Sequence, residues 1–278
     1  IYQFVLPMEN LLVNKVAAVK EVRQAAEYQK KKQACILTGL AGSSKPVFFA
    51  AADKMLGGKG SMAFITASRE EIRTYRRELN YLYPDLPMQE LYPVSLPRVQ
   101  ADTQSLELQA GRAAALRFLS GEERGIVFIT AEALQQKQLR PSGMSGKALQ
   151  LAVGEEHEQR NIAAALLDLG YERTEQVDAL GQFCLRGDIL DVYPINSSTA
   201  VRIEWFDNEL DAMRSFDVDT QRSLQTLTSI KIAPLKVDES FSYDADIFEY
   251  CAADTMVVVD EPVHVFSMLE KLDKENKE

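Results

Sequence analysis

Cysteine and histidine are scarce in this sequence: 278 residues hold three of the first and two of the second. Cys35, Cys184 and Cys251 lie far apart in apolar surroundings. That is neither metal-site spacing nor a disulfide framework, so buried free thiols in a reducing cytoplasm are expected. His157 stands in an acidic helix start and His264 on a predicted helix, and neither has a Ser or Cys partner suggested by spacing. Acid pairs such as Glu155-Glu156 and Asp260-Glu261 are common at helix starts and do not define a hydrolase. Long apolar runs are missing too. Nothing approaches the ~18 uninterrupted apolar residues of a membrane span. The opening Ile1-Tyr2-Gln3-Phe4-Val5-Leu6-Pro7 lacks the charged-then-apolar order of a secretory signal, so a cytoplasmic location without membrane association is expected. Positive charge is also short, with 31 Lys and Arg against 41 Asp and Glu and a formal charge of −10. That balance works against the phosphate neutralisation that holds proteins on nucleic acid. Arg69, Arg73, Arg76 and Arg77 sit close together but read as the solvated face of one helix.

What is present suits packed cores: 46% hydrophobic and 26% charged residues. At roughly 150 residues per domain, two domains are expected. Asn14 to Gln29 reads as one helix capped by Asn14, with Val16, Val19, Val22 and Ala26 near a 3.6-residue period and Lys30-Lys31-Lys32 at its negative end. Ala34 to Thr38 reads as a strand and Val47 to Leu56 as a helix stopped by Gly57-Gly58. Ala63 to Thr66 is a further strand, followed by a helix from Arg69 to Tyr81. Residues 84–105, with Pro84, Pro87, Pro93 and Pro97, read as an irregular connector. A helix from Leu106 to Leu119 then leads to a strand from Gly125 to Thr130. This alternation predicts a parallel sheet covered on both faces.

Near residue 148 the pattern changes. Ala148 to Val153 reads as a strand, and Gly154-Glu155-Glu156 opens a helix that runs to Leu169. Strand signals then crowd together at Gly181–Tyr193, Ala200–Phe206, Glu209–Phe216 and Ser229–Ile232, with short turns such as Asp207-Asn208. Such crowding predicts an antiparallel sheet beside one helix. The expected division is therefore 1–147 as a first domain, 148–236 as a mixed α/β second domain, and 237–278 as a return to the first. The middle part holds 15 acidic and 8 basic residues. Met256 to Val259 reads as one more buried strand, and Val263 onward as helix.

Gly39-Leu40-Ala41-Gly42-Ser43-Ser44-Lys45-Pro46 follows a predicted strand and opens a helix, the setting of a phosphate-binding GxxxxGK[ST] loop. That chemistry needs amides curled around phosphate, a lysine that reaches it, and a hydroxyl on Mg²⁺. Gly39 and Lys45 fit the pattern and Gly42 lies within the loop, but Ser44 replaces the second motif glycine and Pro46 replaces the Ser/Thr. Proline has neither the hydroxyl nor an N–H. Val257-Val258-Val259-Asp260-Glu261 has the form of the matching acidic strand end, or of a strand end whose acids merely cap the next helix. Together the two segments read as relics of a nucleotide fold.

The most specific signal lies in the second part. Gly170-Tyr171-Glu172-Arg173, Gly181 to Pro194, Val201 to Glu209 and Phe216 to Ser223 form an ordered series. The series resembles the UvrB-homologous domain 2 shared by UvrB and the bacterial transcription-repair coupling factors. The Asp219-Thr220-Gln221-Arg222-Ser223 ending and the broken phosphate loop favour the coupling factors. The resemblance implies an α/β fold: a degenerate P-loop, RecA-like parallel-sheet domain with an inserted mixed α/β domain 2. It also implies UvrA as partner, with the family's two contacting arginines and one phenylalanine falling on Arg186, Arg202 and Phe206. In that family RNA polymerase, DNA, ATP and Mg²⁺ are handled by other parts of a longer protein, so no cofactor is expected here and the chain reads as a fragment or a truncated relative.

The residues carry part of this independently. If Val201 to Phe206 is a strand, Val201, Ile203 and Trp205 share one wholly apolar face, and Arg202, Glu204 and Phe206 share the other. An exposed ring beside arginine has hot-spot composition. Burial of Phe206 under a loop, pairing of Arg202 with Glu204 or a cross-strand acid, and a turn role for Arg186 beside a Gly187 bulge stay open at this point. The leading reading is a recruitment module without catalysis. The alternatives are a P-loop NTPase with an unusual working loop and, against the charge balance, a DNA-gripping domain.

Overall fold

The computed structural model of the protein describes residues 8–91, 93, 103–139, 148–235 and 243–275. Spatial proximity divides the chain into two compact units, Ile1–Val94 with Ala115–Gln136 and Tyr250–Glu278, and Ser95–Ala114 with Lys137–Glu249. The fold is mixed α/β, with a parallel sheet in the first unit and mainly antiparallel pairing in the second.

In the first unit the helices are α1 (Met8–Ala17), α2 (Lys20–Lys30), α3 (Ser44–Met55) and α4 (Arg69–Leu82), together with α5 (Thr103–Ser120), whose residues divide between the two units, and α6 (Ala131–Gln135). The strands are β1 (Met62–Thr66), β2 (Met88–Leu91) and β3 (Ile126–Thr130), joined late in the chain by β14 (Met256–Val259) and followed by the last helix, Pro262–Glu275. They pair in parallel in the order β14-β1-β3-β2. β1 and β3 lie in the middle, and every residue of both is buried. That is why each reads as an unbroken apolar run. Phe64 anchors the core, with ring centroids 5.3 Å from Tyr75, 5.6 Å from Phe49 and 5.9 Å from Phe128. At the start of α4 the Glu71 carboxylate accepts the Ser68 backbone N–H at 3.0 Å, satisfying one orphan donor.

Five expectations for this unit need correction. The single helix over 14–29 is two helices, with Asn14 inside the first rather than at its cap. In a straight helix Val22 would face roughly 180° away from Val13. The break at Ala18-Val19 lets Ala17, Val13 and Val16 on one helix and Val22 on the next enter the same core. Ala34–Thr38 is not a strand: it joins no ladder, and Ile36 is 91% exposed. Cys35 is likewise exposed rather than buried, while Cys184 is buried and Cys251 intermediate. The connector over 84–105 contains β2, whose Glu90 is buried because Arg69 Nε lies 2.9 Å from its carboxylate. Of the connector's prolines, Pro97 lies outside the described residues. β14, finally, is an edge strand among the described residues, alternating buried Met256 and Val258 with exposed Val257 and Val259.

The second unit holds β4 (Gln138–Leu139), β5 (Leu149–Ala152), α7 (Gln159–Asp168), β6 (Glu172–Arg173), β7 (Gln182–Arg186), β8 (Ile189–Val192), β9 (Ala200–Phe206), β10 (Glu209–Phe216), β11 (Ser223–Leu227), β12 (Ser229–Ile232) and β13 (Tyr243–Ala245). A short 3₁₀ turn, Ile247–Tyr250, follows. The six-stranded sheet runs β11-β10-β9-β8-β7-β6, antiparallel except for β6 beside β7. β12 pairs with β5, and β13 with β4. Helix α7 starts later than its acidic leader suggests and buries Ile162 and Leu166 against the inner side of the sheet. The last helix, Pro262–Glu275, is α8.

Gly60 precedes β1 where β14 begins alongside. A Cβ there would sit 2.3 Å from the Asp254 carbonyl oxygen, a backbone atom that cannot swing away. Gly60→Ala is expected to destabilise the protein by about 1–3 kcal/mol, the scale of overpacking, read as a lower urea midpoint; an unchanged midpoint would show that the β1–β14 junction can open without cost.

Candidate functional site

The outward side of the six-stranded sheet is set by alternation along β9. Val201, Ile203 and Trp205 are 1%, 0% and 6% exposed and join the core with Phe183, Leu190, Met213 and helix α7. The Trp205 Nε1–H donates to the His157 carbonyl at 2.9 Å, so the ring enters with its polar atom satisfied. Ala200, Arg202, Glu204 and Phe206 therefore point the other way. At one end this second face is closed by a small cluster of Val177, Cys184, Ala200 and Phe216. At the other end Phe206 is 77% exposed.

Between the two ends lies a charged centre. Asp191 on β8 pairs directly with Arg202 on β9. Arg202 donates from Nε to Asp191 Oδ1 at 2.6 Å and from Nη2 to Oδ2 at 2.8 Å, a two-pronged contact. Arg186, at the end of β7, donates to the same Oδ2 at 3.2 Å. Two arginines from two strands thus share one carboxylate whose side chain is 2% exposed. Hydrogen bonding to Asp191 holds the Arg202 guanidinium above the ordinary arginine value, against the opposing pull of burial. Arg202 also lies over the Phe216 ring, 4.7 Å from its centroid, and donates to Gln221 Oε1 at 3.1 Å. Arg214 on β10 pairs with Glu204 across the strand boundary.

Arg186, Arg202 and Phe206 accordingly fall on one side of one sheet. Arg186 is followed not by a bulge but by a two-residue hairpin turn, Gly187-Asp188, in which Gly187 takes φ +56° and Arg186 stands opposite Ile189. The acid that engages Arg202 is cross-strand, and it is Asp191 rather than Glu204. Asp191 and Gln221 were not singled out from the sequence. Gln221 gets there by a turn: Asp217 Oδ1 accepts from the Thr220 amide at 2.8 Å and its hydroxyl at 2.7 Å, and Gln221 takes φ +58°. The Asp-Thr-Gln-Arg-Ser run is the signal that could have found it.

The second candidate cluster lies in the first unit. Gly39 and Gly42 both take positive φ, +83° and +52°. Ser44 opens α3, and Pro46 sits in its first turn, where a missing N–H leaves no gap in the ladder. The Ser44 and Lys45 amides donate to the Ala41 and Gly42 carbonyls, both at 3.2 Å. Lys45 Nζ donates to Asp260 Oδ1 and Glu261 Oε1, each at 2.7 Å. The loop and the acidic strand end thus meet as a lysine held by two carboxylates. Burial pulls the Lys45 ammonium down, but the bonds and charges of Asp260 and Glu261 outweigh it and raise it above the usual lysine value. The hydrogen bond from Lys45 holds Glu261 below the usual carboxylate range. The nearby Tyr75 hydroxyl is pushed up by burial and by Asp260. His157 lies 3.1 Å from Glu155 in the leader of α7, and His264 is exposed on α8. No group of His, Cys, Asp and Glu among the described residues could hold a metal ion, and no described helix is long and apolar enough to cross a membrane.

Comparison with known proteins bears on the first of these clusters. The family described as the UvrB interaction domain matches residues 149–237. The transcription-repair-coupling factor of Bacillus subtilis (strain 168) is 35% identical over 202 residues, 72% of this chain and 17% of that protein. That of Staphylococcus haemolyticus (strain JCSC1435) is 32% identical over the same shares. That of Escherichia coli (strain K12) is 28% identical over 59% of this chain and 14% of its own length. The chain spans less than a fifth of the length of these relatives. Residues 149–237 therefore belong to the UvrB interaction domain family, and the chain is a homologue of one portion of the transcription-repair-coupling factors.

Proposed function

We propose that this chain is a non-catalytic recruitment module of transcription-coupled nucleotide excision repair, and that it docks UvrA through the outward face of its six-stranded sheet. The observation that carries this reading is Phe206, a ring 77% exposed on the same face as two arginines anchored on one buried carboxylate. Aromatic and arginine side chains are enriched in interface hot spots. The match to the UvrB interaction domain and the coupling-factor relatives support the choice of partner. On this reading RNA polymerase, DNA and ATP are engaged by other parts of a longer protein.

The Lys45 cluster is, in the same proposal, the degenerate phosphate loop of a RecA-like domain. A phosphate arriving there would compete with two carboxylates already on the lysine, and Pro46 offers no hydroxyl for Mg²⁺. No observation favours the NTPase alternative, and equilibrium binding of labelled ATP with Mg²⁺ separates the two. The expected result is no saturable micromolar binding. Saturation that disappears in Lys45→Ala would establish the NTPase instead.

Alanine at Arg202 or Phe206 is expected to weaken UvrA binding by the hot-spot scale of roughly 2 kcal/mol, about 30-fold in Kd, measured by titrating the intact chain. Phe206→Ala is the cleaner probe: so exposed a ring leaves the melting temperature unchanged when removed. Arg202→Ala is expected to lower that temperature as well, because Asp191 loses its main partner. Unchanged affinity in both variants removes the docking face from consideration.

Lys45→Ala leaves Asp260 and Glu261 facing each other without a cation, and a lower melting temperature at neutral pH is expected. A lowered carboxylate contributes stability above its ordinary value, and that contribution fades as pH falls through the lowered one; a raised lysine contributes below its ordinary value and stops contributing as pH rises through the raised one. The gap between wild type and variant is thus widest at neutral pH and narrows in acid. A gap that widens in acid would show that Lys45 is not held by these acids.

A further inference from the structure

We propose that Asp191 is the positioning residue of the docking face, fixing Arg202 and Arg186 in the arrangement that UvrA meets. The inference rests on the docking reading above and adds the group that makes the arginines competent. Asp191 sits on the outward side of β8 yet is 2% exposed, because the two guanidiniums lie over it. A carboxylate buried to that degree is tolerated only when paired and hydrogen-bonded. Here three donor contacts from two arginines meet that need.

The consequence runs in the other direction as well. A free arginine side chain loses much of its rotamer freedom when it is fixed, a cost that an interface otherwise meets at the moment of binding. Arg202 has met it before any partner arrives. Its Nε and one Nη2 bond are on Asp191, a second Nη2 bond is on Gln221, and its flat face is on Phe216. Its side chain is only 18% exposed, so what it offers is a small guanidinium edge held still. Arg186 differs. It gives Asp191 one longer bond and stays 55% exposed, leaving most of its surface to water and to a partner. Asp191 therefore grades the two arginines, one locked and one tethered, from a single point.

The test uses the intact chain and purified UvrA, with Asp191→Asn, Arg202→Ala and the double variant titrated well below their melting temperatures. Asparagine keeps the size of the side chain and removes its charge. Asp191→Asn is expected to weaken binding roughly tenfold, the scale of coupling between contacting residues. In the Arg202→Ala background the same change is expected to cost much less, because only the Arg186 tether is left to lose. A merely structural Asp191 would lower the melting temperature and leave the affinity of the folded protein as it was, and that outcome overturns the inference. If Arg202→Ala and Phe206→Ala weaken binding while Asp191→Asn does not, the docking face stands and the positioning role falls. If none of the three weakens binding, the docking reading itself fails. Should Asp191→Asn not fold, the wild-type chain still decides: the Arg202 Nε–H must give a resolved NMR resonance protected from solvent exchange. Fast exchange of that proton overturns the inference without any variant.

Discussion

In a β-strand, each side chain that turns inward sends its neighbours outward, and β9 is where that constraint acts most strongly on this protein. Burying Val201, Ile203 and Trp205 leaves Arg202, Glu204 and Phe206 with one direction to point. A slip of one residue would carry an arginine and a glutamate into an apolar core, at several kcal/mol per unpaired ion. The register is therefore held by the core, with the Trp205–His157 hydrogen bond as a peg. The neighbouring strands obey the same rule. Leu190 and Val192 go inward from β8, which turns Asp191 outward beneath the arginines. On β10, Leu210 and Met213 both reach the core although they are three residues apart. The irregularity between Leu210 and Ala212 absorbs the odd residue and returns Arg214 to the outward face.

This also explains which parts of the molecule could be read from the sequence. β1 and β3 show their burial in their composition, because each sits inside a sheet and its neighbours add little beyond apolar contact; β9 shows its burial in its alternation. The readings failed where a residue's fate depends on a distant partner. Ala34–Thr38 has strand composition, but a strand needs a ladder, and this segment joins none. Met88–Leu91 has a poor strand composition, yet it enters the parallel sheet because Arg69 neutralises its buried glutamate. In the candidate site, the three outward residues were legible from period and resemblance. Asp191 was not, because its role arises only when β8 and β9 pair in one particular register. Gln221 was not, because it reaches Arg202 through a turn with a positive φ.

The Lys45 cluster illustrates a related point about charges left in a fold. In a working phosphate loop, the lysine is satisfied by ligand. Where the ligand contacts are lost, a lysine only 17% exposed would remain a poorly solvated ammonium, and such a group needs a counter-ion. Asp260 and Glu261 supply one at the end of β14, so the loop, the first turn of α3 and the edge strand are tied together by the residues that in a nucleotide fold would serve the phosphates. Charged residues can persist in a fold for this reason alone, and their presence in a sequence is weak evidence of chemistry.

Charge balance decides what sort of partner the outward face suits. The chain carries −10 overall, and the stretch 148–236 holds 15 acidic residues against 8 basic. Screened within about 8 Å at physiological salt, that surplus repels a phosphate backbone only at close approach, and it leaves few cations for the phosphates to neutralise. At contact the face is mixed: Arg186, Arg202 and Arg214 stand among Asp191, Glu204 and Glu209, the last directly opposite Phe206. A surface of balanced charges with a bare ring at one end gains little from long-range steering and must be read at short range, by shape and by hydrogen-bond direction. Those are the terms on which one folded protein recognises another, and under the docking proposal a fixed guanidinium would matter more than an additional positive charge.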